Sequence, residues 1–197
     1  MDKIRNYYSK RKGQLKKPYQ SSVFIPLIEG KDELSILLEV RANTLKRQPG
    51  EVCLPGGCCE KDEDRKDTAI RETVEELLID PSLVEVIGAM DAIEGAGNDV
   101  LWPFVGILHD YRYTYSIDEV DHVFTVPLSY LKTHPPKSYN TSIITIPSED
   151  FPYDKIPDGK NYHWRKRYRT IYFYEYNGYV IWGLTAQILK TFIDSIK

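Results

Sequence analysis

The sequence predicts a single α/β domain. Its 197 residues are enough for one substantial core and few for two. Runs rich in Val, Ile and Leu, bounded by Gly, Asn, Asp and Pro, read as strands. Two other stretches, one ending near Ile79 and one running from Leu184 to Ile196, carry the 3.6-residue period of helices.

Met1 to Lys17 is basic, with Lys3, Arg5, Lys10, Arg11, Lys12, Lys16 and Lys17, and it spaces Ile4, Tyr7 and Tyr8 as one helical stripe. Residues 1–21 therefore read as a basic helical extension and 22–197 as the domain. The extension's lysines are either solvated or an attraction for an extra substrate phosphate. Ser22 to Ile28 and Leu34 to Val40 read as strands joined by a tight turn at Gly30, Lys31 and Asp32. The second strand runs into Arg41, Lys46 and Arg47, cations clustered just ahead of a Leu54-Pro55-Gly56-Gly57 turn where backbone can approach a ligand without a Cβ in the way. Arg41, Lys46, Arg47, Gly56 and Gly57 are the candidate phosphate-binding residues.

After that turn, Glu72, Glu75 and Glu76 stand at i, i+3 and i+4, so a helix puts all three carboxylates on one face. Arg71 alone does not compensate three mutually repelling charges. Hard Mg²⁺, which prefers oxygen ligands and keeps several waters, suits such a face beside a phosphate-bearing substrate. The helix is expected to run on through Leu78 to Asp80, where Pro81 stops it. Leu83 to Ile93 and Val100 to Leu108 read as further strands, with Pro103 marking the second as an edge or a bulge. Tyr111, Tyr113 and Tyr115 alternate as one half-buried strand face would. Asp118, Glu119 and Asp121 form an acidic turn before the strand Val123 to Leu128. Thr133 to Asp158 reads as an extended loop or short hairpin that could cover part of a substrate. Asn177-Gly178 is a hairpin turn between Thr170–Tyr176 and Tyr179–Trp182. A C-terminal helix buries Leu184, Ile188, Leu189, Phe192, Ile193 and Ile196 on one face.

Composition narrows the function classes. A net charge of −3 does not suggest a general nucleic-acid binder. Three cysteines, two of them adjacent at Cys58 and Cys59, make neither a disulfide framework nor a paired zinc motif, which points to a reducing cytoplasm. No stretch reaches the length of a membrane span, so no membrane partner is expected.

Gly57, Glu63, Arg71, Glu72, Glu75, Glu76 and Ile79 stand at the spacing of a known motif: Gly, five residues, Glu, seven residues, then Arg-Glu-x-x-Glu-Glu-x-x-aliphatic. The stretch resembles the Nudix box of diphosphate hydrolases, with Thr73 where an aliphatic residue is usual and Leu78 where Gly is usual. Upstream, Leu37, Leu38, Arg41, Ala42, Gly50, Pro55, Gly56 and Gly57 match the added signature of the coenzyme A diphosphatase branch in register. Glu39, Lys46 and Leu54 replace its Thr, its second Arg and its Phe. Lys46 keeps the charge without the bidentate fork, which Arg47 could supply instead.

The resemblance implies a Nudix-type α/β/α sandwich with a mixed β-sheet, and an Mg²⁺- or Mn²⁺-dependent hydrolase. It implies Glu75 and Glu76 as metal ligands, Glu72 as a further ligand or the group that orients water, and the Gly57 carbonyl as an added ligand. Glu63 and Arg71 are expected to form a structural pair, and Glu119 to reach the metal cluster or act as a base. The implied partner is a small-molecule diphosphate of the coenzyme A type, and a homodimer is compatible with it. A Nudix enzyme for ADP-ribose or a dinucleotide polyphosphate, or a nucleotide-sensing module without catalysis, are the alternatives. A sensing module would be expected to lack box carboxylates, and here all are present.

Overall fold

The computed structural model describes residues 2–9, 19–30, 33–95 and 99–196. In chain order the elements are α1 (Asp2–Tyr8), β1 (Tyr19–Glu29), β2 (Leu34–Arg41), β3 (Val52–Cys53), β4 (Gly56–Cys58), α2 (Arg65–Leu77), β5 (Val84–Ala89), β6 (Ile93–Glu94), β7 (Asp99–Leu108), β8 (Val120–Pro127), α3 (Leu128–Thr133), β9 (Lys137–Ile143), β10 (Arg167–Tyr176), β11 (Tyr179–Trp182) and α4 (Gly183–Ser195).

β1 and β2 form the centre because each carries a continuous apolar run, Val23 to Ile28 and Ile36 to Leu38, as strands covered on both faces do. They pair antiparallel, with Leu27 opposite Ile36. β7 pairs parallel to β1 from Tyr19–Asp99 to Leu27–Ile107, and the other pairings are antiparallel, so the sheet is mixed. Its order is β3-β2-β1-β7-β5, with β4 added to β1, β6 to β7 and β8 to β2. Successive side chains point to opposite faces. Phe24, Leu37, Phe104 and Leu108 accordingly pack with Ala69 and Leu77 of α2. Ile25, Leu27, Ile36 and Leu38 pack on the other side with Leu131 of α3 and Ile188, Leu189, Phe192 and Ile193 of α4. β9, β10 and β11 form a second antiparallel sheet over that side.

Several local expectations are corrected. α1 ends at Tyr8 and buries none of its residues; the rest of the expected basic helix, residues 10–17, lies outside the described residues. The first strand spans Tyr19–Glu29, longer at both ends than the expected Ser22 to Ile28. Pro103 is in an interior strand. It is tolerated because β5 ends opposite Phe104 and β6 begins opposite Leu101, leaving the antiparallel partner interrupted at Pro103. The Met90 N–H donates to the Pro103 carbonyl at 2.9 Å, so the proline's backbone edge faces this gap, where its missing N–H costs no ladder bond. Tyr111, Tyr113 and Tyr115 lie in a loop, where Tyr113 has a φ of 57° and the Tyr111 hydroxyl donates to the Thr114 carbonyl.

α2 also ends earlier than expected. Leu78 takes the left-handed cap conformation itself, at φ 51° and ψ 50°, and its N–H donates to the Val74 carbonyl. A β-carbon in that region costs about 1–2 kcal/mol, a cost the usual glycine avoids. Thr73 is fully buried and returns its hydroxyl to the Ala69 carbonyl at 2.7 Å, which removes the penalty of a polar group in the core. Lys137 to Ile143, expected as loop or hairpin, is strand β9, paired with β10 from Lys137–Phe173 to Ile143–Arg167. Asn177 and Gly178, with φ of 47° and 86°, make the expected hairpin turn.

Candidate active site

The carboxylate helix is pinned at its N-terminal half. Asp64 caps α2 by accepting the Lys66 N–H at 2.9 Å. Glu63 grips the Arg71 guanidinium with both oxygens, at 2.8 and 3.1 Å, and also accepts from the Thr68 hydroxyl at 2.8 Å and the Glu60 N–H at 2.9 Å. The Arg71 hydrogen bonds, aided by those backbone and hydroxyl donors, pull the Glu63 carboxyl down to about 2. This is the structural pair expected from the sequence, and it ties the loop after β4 to the helix.

The glycine turn sits directly under the carboxylates. β4 pairs with β1, Gly56 opposite Val23 and Gly57 opposite Ser22, and the Phe24 N–H donates to the Pro55 carbonyl at 2.9 Å. The Gly56 N–H then donates to Glu76 Oε2 at 2.8 Å. Gly57 is close to Glu72: a β-carbon there would fall 2.4 Å from the Glu72 carboxyl carbon. Arg71 reaches Glu72 at 2.9 Å and Glu75 at 3.1 Å, so one guanidinium links Glu63, Glu72 and Glu75.

A cavity of about 520 Å³ opens beside this turn. It is lined by Glu72, Glu76 and Glu119, by Gly56 and Gly57, by Arg41 and Arg47, and farther along the chain by Arg169, Trp182 and Leu184. Arg41 lines it where the β2–β8 register shifts between Val40 and Arg41, a bulge that re-aims the side chain. Its Nε donates to the Arg47 carbonyl at 3.3 Å, drawing the two together. Glu119 is held nearby through its carbonyl, which accepts the Ala42 N–H at 2.9 Å. Two of the candidates chosen from sequence do not line the cavity. Lys46 is exposed, and Glu75 keeps a side chain 55% exposed against Arg71. No residue of the segment 133–158 lines it either.

Sequence reasoning passed over Glu39 as a mere departure from a signature. Its side chain is 1% exposed, Cys53 donates its S–H to Oε1 at 3.2 Å, and among the described residues Oε2 has no partner. The available signal was a charged residue inside the buried strand Leu34–Arg41. Burial raises the Glu39 and Glu76 carboxyls above the ordinary range; the Glu39 charge raises Glu76 further, and the charges of Glu119 and Glu72 raise Glu39. Burial likewise raises Glu72.

Among the described residues no three His, Cys, Asp or Glu side chains are already gathered to hold an ion, since Arg71 and the Gly56 N–H occupy the helix carboxylates. The donor chemistry nevertheless fits a hard divalent cation. Several desolvated carboxylates act on one another, and one buried oxygen has no other partner. A stability consequence follows. Because the folded pKa values of Glu39 and Glu76 are raised, the native state holds more protons than the unfolded one above the ordinary carboxylate range, and stability there falls as pH rises. Metal-free protein is expected to melt at lower temperature at about pH 8 than at about pH 5.5, and Mg²⁺ to raise the melting temperature more at the higher pH. A melting temperature that rises with pH, or an equal Mg²⁺ effect at both, would contradict this.

The NUDIX domain family model matches residues 18–166, most of the chain. The chain belongs to the Nudix family. Among curated relatives it is 33% identical over 179 residues to Nudix hydrolase 22, chloroplastic, of Arabidopsis thaliana, covering 88% of this chain and 54% of that protein. It is 39% identical over 132 residues to the peroxisomal coenzyme A diphosphatase of Mus musculus, covering 66% of this chain and 55% of that one. The chain thus spans about half the length of these two relatives. A MutT/nudix family protein from Enterococcus faecalis shares the fold, with a TM-score of 0.55 at 15% identity, covering 99% of this chain and 68% of that one. Among the described residues no helix is long and apolar enough to cross a membrane.

Proposed function

We propose that this Nudix protein hydrolyses the diphosphate linkage of coenzyme A or a derivative, giving phosphopantetheine and adenosine 3′,5′-bisphosphate. One observation carries the reading: a single cavity holds the box carboxylates Glu72 and Glu76 together with Glu119 and the signature cation Arg41. The similarity to a relative titled coenzyme A diphosphatase supports the choice of substrate.

Water attacks one phosphorus, the P–O bond to the bridging oxygen breaks, and that oxygen leaves as part of the second phosphate. Glu72 and Glu76, with Glu75 and the Gly57 carbonyl as further candidate ligands, would hold a divalent cation, which would supply charge neutralisation and a more acidic water. Mg²⁺ or Mn²⁺ has the required chemistry. Arg41 and Arg47 bind and orient the diphosphate; their planar forks suit non-bridging phosphate oxygens. Glu119, exposed on its turn, takes the proton that the attacking water loses. Glu76 stays fixed by the Gly56 N–H. Arg71 restrains Glu72 while being held itself by Glu63. Lys46 has no role in this account. A small-molecule partner, without nucleic acid or membrane, and a cytoplasmic location belong to the same proposal.

The test is a panel of coenzyme A, acetyl-coenzyme A, ADP-ribose and diadenosine tetraphosphate under Mg²⁺, scored by kcat/KM. The coenzyme A compounds are expected to exceed the others by at least about tenfold, on the order of 1.4 kcal/mol. Turnover confined to ADP-ribose or the dinucleotide would overturn the substrate and leave the reaction class standing.

A further inference from the structure

The candidate cavity contains more cationic capacity than a diphosphate requires. Arg41 and Arg47 come from the loop ahead of the glycine turn, whereas Arg169 comes from β10 of the second sheet. Among the described residues none of the three guanidiniums is in an ion pair. Arg41 is drawn to the Arg47 carbonyl in the loop ahead of the glycine turn, whereas the Arg169 guanidinium is directed to Gln187 of α4. The two therefore enter the cavity from different elements.

Its setting there is defined. Strand register fixes its backbone: Arg169 lies opposite Thr141, whose hydroxyl donates to the Arg169 carbonyl at 3.0 Å. Among the described residues its guanidinium donates only a long 3.5 Å bond, to Gln187 of α4, leaving most of its donors uncommitted there. Ile171, two residues on, and Trp182 line the cavity with it. Trp182 is stacked on Phe173, with ring centroids 5.8 Å apart and planes 16° apart, and is still 41% exposed. A part-buried guanidinium and a supported aromatic face lining one cavity suit an anionic group attached to a planar base.

We propose that Arg169 binds a second phosphate of the substrate, a phosphomonoester on the ribose of an adenine nucleotide, and that Trp182 packs against the base beside it. This rests on the coenzyme A reading and deepens it, because it makes Arg169 the residue that separates a 3′-phosphorylated nucleotide from one without that group. It also moves the extra-phosphate site away from α1: residues Asp2 to Ser9 do not line this cavity. A charge-assisted, forked contact is expected to give roughly a 10- to 100-fold preference.

The test is calorimetric binding of adenosine 3′,5′-bisphosphate and of AMP, so that no turnover is needed. Wild-type protein is expected to bind the bisphosphate at least about tenfold tighter, Arg169→Gln to reduce the ratio to near one, and Arg169→Lys to keep part of it. An unchanged ratio in Arg169→Gln, or no preference in the wild type, would overturn the assignment. Failure of the substrate reading has a different mark: coenzyme A would go uncleaved in the panel while the two nucleotides were still distinguished in binding. Trp182→Leu is expected to weaken both nucleotides by a similar factor and leave the ratio intact; a changed ratio there would count against the division of roles.

Discussion

Glu76→Gln is expected to lower kcat for diphosphate hydrolysis by about three orders of magnitude while leaving the protein folded. The side chain is 2% exposed and its Oε2 accepts the Gly56 N–H at 2.8 Å. An amide oxygen can accept the same bond, so the turn keeps its support and only the charge is lost. That charge is unfavourable in the metal-free fold, where burial and the neighbouring Glu39 both oppose it. Glu76→Gln should therefore melt at or above the wild-type temperature at neutral pH without metal, and gain less from Mg²⁺. The two readouts are steady-state kinetics and paired melting curves with and without Mg²⁺. A variant that is unstable and fully active per folded molecule would show Glu76 to be merely structural.

Gly56→Ala has the opposite signature. Gly56 sits at φ +151°, and a β-carbon there would fall 2.3 Å from the Ser22 carbonyl oxygen and 2.6 Å from the Val23 Cα. Both obstacles are backbone of β1, the strand at the centre of the sheet, so no side-chain rotation relieves them. The expected loss is on the order of 3 kcal/mol, read from chemical denaturation. Gly88→Ala is the control. A β-carbon at Gly88 meets nothing within 4 Å, and its cost should stay under about 1 kcal/mol. Equal costs at the two positions would contradict the close approach of turn and strand. Gly57→Ala is a milder case, since the obstacle is the Glu72 carboxylate, which can swing away at the expense of the site.

What the sequence made legible is what neighbours in sequence decide. Glu72 and Glu76 could be placed on one face, and Glu63 opposite Arg71, because helix periodicity and one short loop fix those relations. The buried pairing of β1 with β2 was legible from apolar runs, and the Asn177-Gly178 hairpin from its turn chemistry. Other features depended on partners far along the chain. Pro103 was misplaced because its tolerance in an interior strand depends on where β5 stops and β6 starts. Leu78 was expected to prolong the helix because leucine is a strong helix former, whereas it takes the left-handed cap position itself. Glu39 looked like a substitution in a signature; only the packing of β2 shows it buried with an unpartnered oxygen. Arg169 could not be foreseen from spacing, since nothing local says which face of β10 meets the glycine turn. Glu75 shows the converse: helical spacing put it with Glu72 and Glu76, but its ion pair with Arg71 keeps it outside the cavity lining.

The most direct test is a mass balance. Coenzyme A incubated with the protein and Mg²⁺, sampled by liquid chromatography with mass detection, should yield phosphopantetheine and adenosine 3′,5′-bisphosphate in equal amounts, with neither formed when the metal is chelated and both formed about a thousandfold more slowly by Glu76→Gln. Loss of coenzyme A by any other bond, or equal product with and without Mg²⁺, would contradict a metal-dependent diphosphatase at this site.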